Sequence, residues 1–304
     1  MYDFQTFPAA SYDATAQKAE QATEVTIRAL KGFNADMRCY GGFQYEFGKT
    51  YEQASAEVCD HGFHACDGSP FDVWGYFGPV GEDGKLNRFA EVICSGNVSR
   101  KDGDSDSKFA STKITIEAEV RLPDFIRRAI AWVIDATKGK GDAPSGHYAK
   151  IGSSGHYAKI GSSGHYAQIG SSGHYAQIGS SGHYAKIGSS GDYAQIGSSG
   201  DSAKIGSSGH SAKIGSSGHS AKIGSSGDYA KIGSSGDYAK IVAEGKNAVI
   251  ACAGFATVAA AEGGAICIPY HDGKRMRFAV GYVGEDGIEA GKAYTAVNGK
   301  LVTA

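Results

Sequence analysis

The chain has 304 residues and lacks the features that mark secreted and membrane proteins. Its first residues, MYDFQTFPAASYDATAQ, contain neither a basic segment nor an apolar core, so we expect no signal peptide. No apolar run approaches the roughly 18 residues of a membrane-spanning helix. The formal net charge is only −2, which does not favour a strongly charged partner.

Cysteine is sparse as well, and its positions follow no regular spacing. In a chain of this length we expect reduced thiols, as in a cytoplasm, rather than a disulfide framework. The six cysteines are Cys39, Cys59, Cys66, Cys94, Cys252 and Cys267.

Glycine, in contrast, is abundant: most of the 45 glycines lie in a nine-residue repeat. The consensus of the repeat is Gly-(His/Asp)-(Tyr/Ser)-Ala-(Lys/Gln)-Ile-Gly-Ser-Ser, and eleven copies begin between Gly146 and Gly236. Gly245, Gly254 and Gly263 keep the register, which gives fourteen units with decayed final copies. Terminal units of this kind are typical of a capped repeat protein.

The repeat predicts a β-solenoid. A period of nine is not helical, whereas side chains alternate along HYAKI as in a strand, and GSSG is typical of a turn. Ala and Ile then share the inner face, where their small size favours a flat coil of two strands and 18 residues. Fourteen units would form about seven coils, on the order of 34 Å tall. A triangular coil of 27 residues and low-complexity disorder remain as alternatives.

The remaining sequence predicts an α+β domain before the solenoid and a β cap after it. We expect a lead-in segment over 1–23, the α+β domain over 24–121, a connecting helix and linker over 122–145, the solenoid over 146–271 and the cap over 272–304. EVTIRALKGF, FQYEFGKTYE, GFHAC, RFAEVICSG and KITIEAEV are predicted strands.

Two helices are expected around these strands. SPFDVWGYF predicts a short helix that Ser69 caps and Pro70 begins. LPDFIRRAIAWVIDATKGK has apolar residues at helical spacing and is expected to cover the open end of the solenoid.

The outward side chains of the repeats form the predicted binding surface. Tyr and Lys rows would project on both walls, where they either recognise a partner or serve only as a soluble surface. The residues of this surface are Tyr148, Lys150, Tyr157, Lys159, Tyr166, Tyr175, Tyr184, Lys186, Lys204, Lys213, Lys222 and Lys231. Histidines beside the turn glycines interchange with Asp, which favours a solvated corner over a metal ligand or pH sensor.

What the repeats lack argues against several uses of β-solenoids. Ice-binding solenoids use ranks of Thr, and 146–241 contains none. Calcium-binding rolls need an Asp that most copies lack or displace. DNA mimics need dense acidic ladders, but this segment has eight Lys and four Asp. Binding to nucleic acid stays open but is not favoured, because the segment has no Arg and a small net charge.

The densest cluster of reactive residue types is CDHGFHAC in the N-terminal domain. Cys59, His61, His64 and Cys66 suit zinc by type, but their spacing is unlike common zinc motifs. Ordinary packing is therefore the favoured interpretation. A catalytic Cys–His pair that includes His64 is a further alternative. We expect no cofactor.

The order of ALKGF, HGFHAC, SPFDVWGYF and RFAEVICSG resembles the strand and helix succession of ADP-ribosyltransferase-like folds. That resemblance implies an enzyme that uses NAD, with an acidic residue such as Glu117 or Glu119 as a catalytic candidate. The candidates fall within STKITIEAE, whereas the family places its three elements far apart. An exposed strand face explains EAE more simply.

A closer resemblance covers nearly the whole chain. KGFNADMRCYGGFQYEFGKTYE, CDHGFHAC, RFAEVICSG, SKFASTKITI and the ending AYTAVNGKLV are similar to a family of uncharacterised bacteriophage and prophage proteins with YAKIASSG-type repeats. The resemblance implies a phage origin and a location in the host cytoplasm or the virion. We expect a non-enzymatic scaffold with a host or phage protein as partner, in the role of a host-defence antagonist or a virion component. The sequence leaves a homodimer open.

Overall fold

The computed structural model describes residues 26–101, 106–137 and 146–304. It confirms the predicted fold class: a small α+β domain precedes a β-solenoid of two-strand coils with a C-terminal β cap. The expected lead-in over 1–23 and residues 138–145 of the expected helix and linker segment lie outside the described residues. Neither described helix is long and apolar enough to cross a membrane.

The N-terminal domain is built on one antiparallel sheet with the order β2-β5-β3-β1-β4, in which β4 also pairs with β5. Its strands are β1 (Ile27–Phe33), β2 (Thr50–Glu52), β3 (Phe63–Cys66), β4 (Arg88–Ser99) and β5 (Lys108–Glu119). Only the last three residues of the predicted strand FQYEFGKTYE form a strand of this sheet, because Gly48 turns the chain with φ of 77°.

Two α-helices follow the predicted positions, α1 (Pro70–Val73) and α2 (Leu122–Thr137), and a 3-10 turn covers Tyr40–Gly42. Ser69 precedes α1 as expected, but its side chain makes no capping hydrogen bond. The Ser69 hydroxyl instead donates to Oε1 of Gln168 in the solenoid, at 2.6 Å. The capping prediction was therefore wrong, since a buried partner on the solenoid outcompetes the helix terminus.

The solenoid consists of two parallel sheets whose strands recur every 18 residues, as Lys186 opposite Lys204 shows. This register excludes the 27-residue coil. One sheet contains β6 (Lys150–Ser153), β8 (Gln168–Ser171), β10 (Lys186–Ser189), β12 (Lys204–Ser207), β14 (Lys222–Ser225), β16 (Ala239–Ala243) and β18 (Ala256–Ala260). The other contains β7 (Lys159–Ser162), β9 (Gln177–Ser180), β11 (Gln195–Ser198), β13 (Lys213–Ser216), β15 (Lys231–Ser234), β17 (Val249–Cys252) and β19 (Ala265–His271).

Strand and turn are divided differently from the sequence prediction. Lys-Ile-Gly-Ser is extended, whereas the turn lies at Gly-His-Tyr, so the expected strand HYAKI and turn GSSG are both displaced. The Tyr is left-handed, with φ of 57° at Tyr184 and Tyr193. The turn glycine is required by close approach between coils: a Cβ on Gly182 would lie 2.0 Å from the carbonyl oxygen of Gly164. Because this glycine has to lie in the turn, the strand begins later in the repeat than the sequence pattern predicted.

The interior of the solenoid follows the two-residue alternation of a strand. Ala167, Ile169 and Ser171 point inward and are fully buried, as are Ala185, Ile187 and Ser189 in the next coil. The prediction that Ala and Ile share the inner face is confirmed. The outward positions of each strand are the Lys or Gln and the glycine of Lys-Ile-Gly-Ser. We call this residue the wall glycine, to distinguish it from the glycine of the turn.

The C-terminal cap consists of three antiparallel strands, β20 (Met276–Tyr282), β21 (Tyr294–Val297) and β22 (Lys300–Thr303). β20 extends one solenoid sheet by pairing with β19, and β21 extends the other by pairing with β18. Asn298 and Gly299, both with positive φ, form the tight turn between β21 and β22.

Candidate interaction surface

Helix α2 lies along one wall of the solenoid and not over its open end, which corrects the sequence expectation. We call the outward face of β6, β8, β10, β12, β14, β16 and β18 the covered wall, because α2 and α1 pack on it. The outward face of β7, β9, β11, β13, β15, β17 and β19 is the open wall. The prediction that α2 covers the open end was wrong. The row of glycines on the covered wall lets the apolar face of α2 approach the sheet more closely than the edge of a coil would.

The wall glycines of the covered wall form the seat of α2. A Cβ on Gly170 would lie 3.1 Å from the Cα of Ile130, and a Cβ on Gly152 would lie 2.7 Å from the Cα of Ile134. Any larger residue there would push the helix away. The seat consists of Gly152, Gly170, Gly188, Gly206 and Gly224.

Helix and solenoid fit because the apolar stripe of α2 and the glycine row of the covered wall have nearly the same overall length. The residues over the glycines recur every four positions in α2, namely Leu122, Ile126, Ile130 and Ile134. Twelve helical residues rise by about 18 Å, and the four coil steps from Gly152 to Gly224 rise by about 19 Å. Four apolar side chains of α2 therefore cover five coils: Ile130 lies against both Gly170 and Gly188, and Phe71 also contacts Gly188.

Polar groups of the N-terminal domain meet the long side chains of the covered wall. Gln168 accepts from Ser69 and donates to Oδ1 of Asp72 at 2.8 Å. Lys204 donates to the carbonyl oxygen of Trp74. The carboxylate of Glu82 accepts from Lys222 at 2.5 Å and Lys240 at 2.6 Å.

Contact with the N-terminal domain shifts the pKa of several charged groups on the covered wall. Lys186 is 8% exposed, and burial lowers the pKa of its ammonium despite the nearby Asp72. Burial, followed by repulsion from Lys186 and Lys222, lowers the pKa of Lys204 to about 7. Hydrogen bonds from Lys222 and Lys240 lower the pKa of Glu82 to about 2.

The structure divides the predicted binding surface between the two walls. Lys150, Lys186, Lys204 and Lys222 lie on the covered wall, where Lys150 stands 4.6 Å over the Trp132 ring. These four contact the chain's own N-terminal part. The exposed members on the open wall are Lys159, Lys213 and Lys231.

The open wall repeats the seat of α2 without an occupant among the described residues. A Cβ on Gly161 or Gly179 would meet no atom within 4 Å, and one on Gly215 would lie 4.0 Å from its nearest neighbour. Toward the cap this face becomes apolar, with Val249, Phe278, Val280 and Tyr282 between 47% and 58% exposed. The wall thus offers a shallow glycine track that ends in an apolar patch.

The corners between the walls carry stacked ladders. Tyr166 and Tyr184 stack with ring centroids 5.0 Å apart, as do Tyr175 and Tyr193, and both ladders are exposed. Tyr148 and Tyr157 begin these ladders. The rings stack because the coil spacing is close to the contact distance of two aromatic rings.

The interchange of His and Asp has a backbone explanation. Oδ1 of Asp201 accepts from the backbone N–H of His219, one coil further on, at 2.8 Å. Nδ1 of His183 accepts from the N–H of Asp201 in the same way, at 3.2 Å. Both side chains are acceptors at a corner, which accounts for the pattern in the sequence without a bound metal.

The CDHGFHAC residues do not converge on one point. Cys59 accepts a hydrogen bond from the Lys108 ammonium at 3.1 Å, and the Cys59 N–H donates to Nε2 of His64 at the same distance. His61 bonds Asp60 on the surface, and Cys66 is buried with a raised thiol pKa because of desolvation. In the described part of the chain, the one group close enough to hold a metal is the exposed set Glu57, Asp60 and His61.

The acidic catalytic candidates form ion pairs on the sheet of the N-terminal domain. Glu117 lies 3.6 Å from Arg28, and Glu119 lies 2.7 Å from Arg88. The larger cavity of this domain is lined by His64, Cys59 and Lys108 but by neither glutamate. The structure therefore does not bring Glu117 or Glu119 together with His64.

Sequence reasoning missed the residues that hold the two parts together, above all Glu82 and Asp72. The signal that could have found the seat was the four-residue spacing of apolar residues in α2 beside a glycine in every coil.

A family model described as a domain of unknown function (DUF7666) matches residues 27–128, which comprise the N-terminal sheet and the beginning of α2. No curated protein and no solved structure matches the chain.

Proposed function

We propose that this protein is a non-enzymatic scaffold whose open wall binds a helix of a partner protein from the host or the phage. The corner ladders of Tyr and His flank that wall and would contact the partner beside the helix. The resemblance to phage proteins motivates the choice of partner, with antagonism of host defence as the role in the infected cell. In the described part of the chain, the N-terminal domain packs on the covered wall and leaves the open wall free.

One observation carries the proposal: the covered wall already holds an apolar helix, and the open wall has the same repeat sequence. On the covered wall Ile130 and Ile134 sit directly over Gly170 and Gly152. On the open wall Gly179, Gly197 and Gly215 have the free space that such a helix would fill. A surface that accepts a helix on one side has the geometry to accept one on the other.

The covered wall also indicates the chemistry of the partner. Its helix needs apolar residues every four positions, as in α2, where four such side chains span five coils. Carboxylates beside the helix would meet Lys213 and Lys231, as Glu82 meets Lys222 and Lys240. The apolar patch of Val249, Phe278 and Val280 would extend the contact toward the cap.

A helical peptide of residues 122–137 is a direct probe of this wall. We expect the fluorescent peptide, stabilised as a helix, to bind the full-length protein with shifts in the backbone amide signals of β9, β11 and β13. The variants Gly197→Val and Gly215→Val should weaken binding by at least tenfold, since valine fills the track. Lys101→Met, outside the wall, is the matched control.

Two results would contradict the proposal. One is a peptide that fails to bind, and the other is a peptide that binds the two glycine variants as tightly as the parent protein. Titration with DNA and RNA against salt tests the polyanion alternative in the same samples. A positive result is nucleic acid that binds through Lys159, Lys213 and Lys231 with an affinity that falls steeply as the salt concentration rises. That result would identify a polyanion, and not a helix, as the ligand of the open wall.

A further inference from the structure

The N-terminal domain contains a cavity of about 420 Å³ that the proposed interaction does not use. It opens between β1, β3 and the chain around α1, and neither Glu117 nor Glu119 lines it. Aromatic rings form its walls, and a volume of this size is typical of a site for a small organic ligand. The rings belong to Tyr40, Phe43, Tyr45, Phe63, Tyr76 and Phe77.

A buried ammonium group lies among these rings. Lys31 is 6% exposed, and its Nζ donates to the carbonyl oxygen of His64 at 2.7 Å. The same Nζ lies 5.1 Å from the centre of the Tyr45 ring and 5.7 Å from that of Phe33. Over residues 26–101, 106–137 and 146–304, no carboxylate forms a salt bridge with Lys31.

A buried charge without a counter-ion is costly, and buried charges are normally paired. The remaining neighbours of Lys31 do not supply a negative charge. The thiol of Cys39 is held neutral, because burial raises its pKa more than Lys31 lowers it. The pKa of the Tyr45 hydroxyl is raised by burial as well.

A second cation and a neutral imidazole complete the polar lining. The Lys108 ammonium lies 4.4 Å over the Tyr76 ring and bonds Cys59. Burial lowers the pKa of His64, and the positive charges of Lys31 and Lys108 lower it further. Lys31 and Lys108 therefore both act on this imidazole as positive charges.

The acidic groups nearby are already engaged. Asp60 lines the rim and bonds His61 at 3.0 Å, while Oδ2 of Asp106 accepts from the Tyr76 hydroxyl at 2.5 Å. The interior thus combines two ammonium groups with aromatic walls and lacks a paired carboxylate in the described chain.

We propose that this cavity binds a small planar aromatic anion, with its ring between the aromatic walls and its negative group on Lys31 and Lys108. The proposal concerns a part of the molecule separate from the open wall. Either can therefore fail without the other. Phosphate and carboxylate share the required charge, and the experiment distinguishes them.

The test titrates the full-length protein with nucleoside monophosphates and with aromatic carboxylates, each beside its uncharged counterpart, and with inorganic phosphate alone. Binding is followed by calorimetry and by the imidazole signals of His64. We expect one of the two anion classes to bind at least tenfold more tightly than its neutral counterpart and to raise the pKa of His64. Lys31→Met and Lys108→Met should each weaken that binding at least tenfold.

Lys31→Met also gives a test that needs no ligand. Methionine fits the apolar surroundings without a charge, so the variant should unfold at the same temperature as the parent protein or higher. The ligand should raise the Tm of the parent and of the control Lys49→Met, an exposed lysine paired with Glu46, but not that of Lys31→Met. Equal binding of neutral and charged ligands, no binder at about 5 mM in either class, or a Lys31→Met variant of lower Tm would overturn the proposal.

Discussion

The two walls of the solenoid are formed by the same nine-residue repeat but have different physical properties. On the covered wall the lysine row is partly or fully buried, and Lys204 has a pKa of about 7. On the open wall Lys159, Lys213 and Lys231 are exposed. Glycine is a contact surface on one wall and open space on the other. A repeat therefore fixes the backbone, while what lies on each wall decides the energetics of its side chains.

The largest expected difference between the walls concerns the wall glycines. We predict that Gly206→Val lowers the free energy of unfolding by about 3 kcal/mol, the upper range for overpacking. A Cβ there would lie 2.7 Å from the Trp74 ring and 2.9 Å from Ile126. Urea denaturation of the full-length protein measures the change.

Gly215→Val is the matched control on the open wall. It should leave the stability unchanged or raise it slightly, because valine favours a strand and nothing lies close to the site. Equal destabilisation by the two variants would mean that the wall glycines serve the coil itself and not the docking of α2.

The second prediction concerns Lys204. A lysine with a lowered folded-state pKa disfavours the folded state while it is charged, so stability rises as the pH rises from about 7 toward the unfolded-state value of 10.5. Between pH 7 and pH 9 the parent protein should gain about 2 kcal/mol of stability relative to Lys204→Met. Urea unfolding at a series of pH values measures the gain.

Lys213→Met, in the same repeat position on the open wall, should follow the pH profile of the parent protein. A Lys204→Met profile parallel to that of the parent would show that the Lys204 ammonium titrates as it does in water. The difference between the walls would then be one of packing alone.

The sequence was sufficient to predict the solenoid because its evidence is local and repeated. The Ala and Ile positions of each unit predicted the inner face, and the small size of these inner residues favoured the 18-residue coil over the 27-residue coil. The strand boundaries were displaced because the contact between Gly164 and Gly182 joins residues 18 positions apart. Such a contact is visible only once the coil is assembled.

The covered wall could not be predicted from the repeat, because it depends on a single long-range docking event. Nothing in 146–241 distinguishes Lys204 from Lys213; only the arrival of Trp74 and α2 does. The same limit applies to the N-terminal cavity. Lys31, His64 and Lys108 are separated along the chain and meet only through the pairing of β1 with β3 and of β3 with β5.

A third prediction asks whether the corners, unlike the walls, are equivalent. Asp192 and Asp201 lie at opposite corners and accept from the N–H groups of His210 and His219, each at 2.8 Å. Asp192→Ala and Asp201→Ala should each lower the free energy of unfolding by about 1 kcal/mol. Asp201→His should recover most of the loss at pH 8, because Nδ1 of His183 accepts the same kind of bond from the backbone N–H of Asp201. Unequal losses in urea unfolding would mean that the two corners, like the two walls, are not equivalent.

The smallest predicted effect is that of Glu82, which joins the N-terminal domain to Lys222 and Lys240. Its side chain is 83% exposed, so solvent screens these contacts and Glu82→Gln should cost no more than about 0.5 kcal/mol at pH 7. The pKa of Glu82 is lowered from 4.5 to about 2. The stabilisation is therefore complete above pH 4.5 and disappears as the pH falls toward 2.

The control is Glu285→Gln, which removes an exposed carboxylate elsewhere on the protein and leaves the contacts of Glu82 in place. A cost for Glu82→Gln that persists at pH 2 in urea unfolding would assign its role to packing rather than to charge.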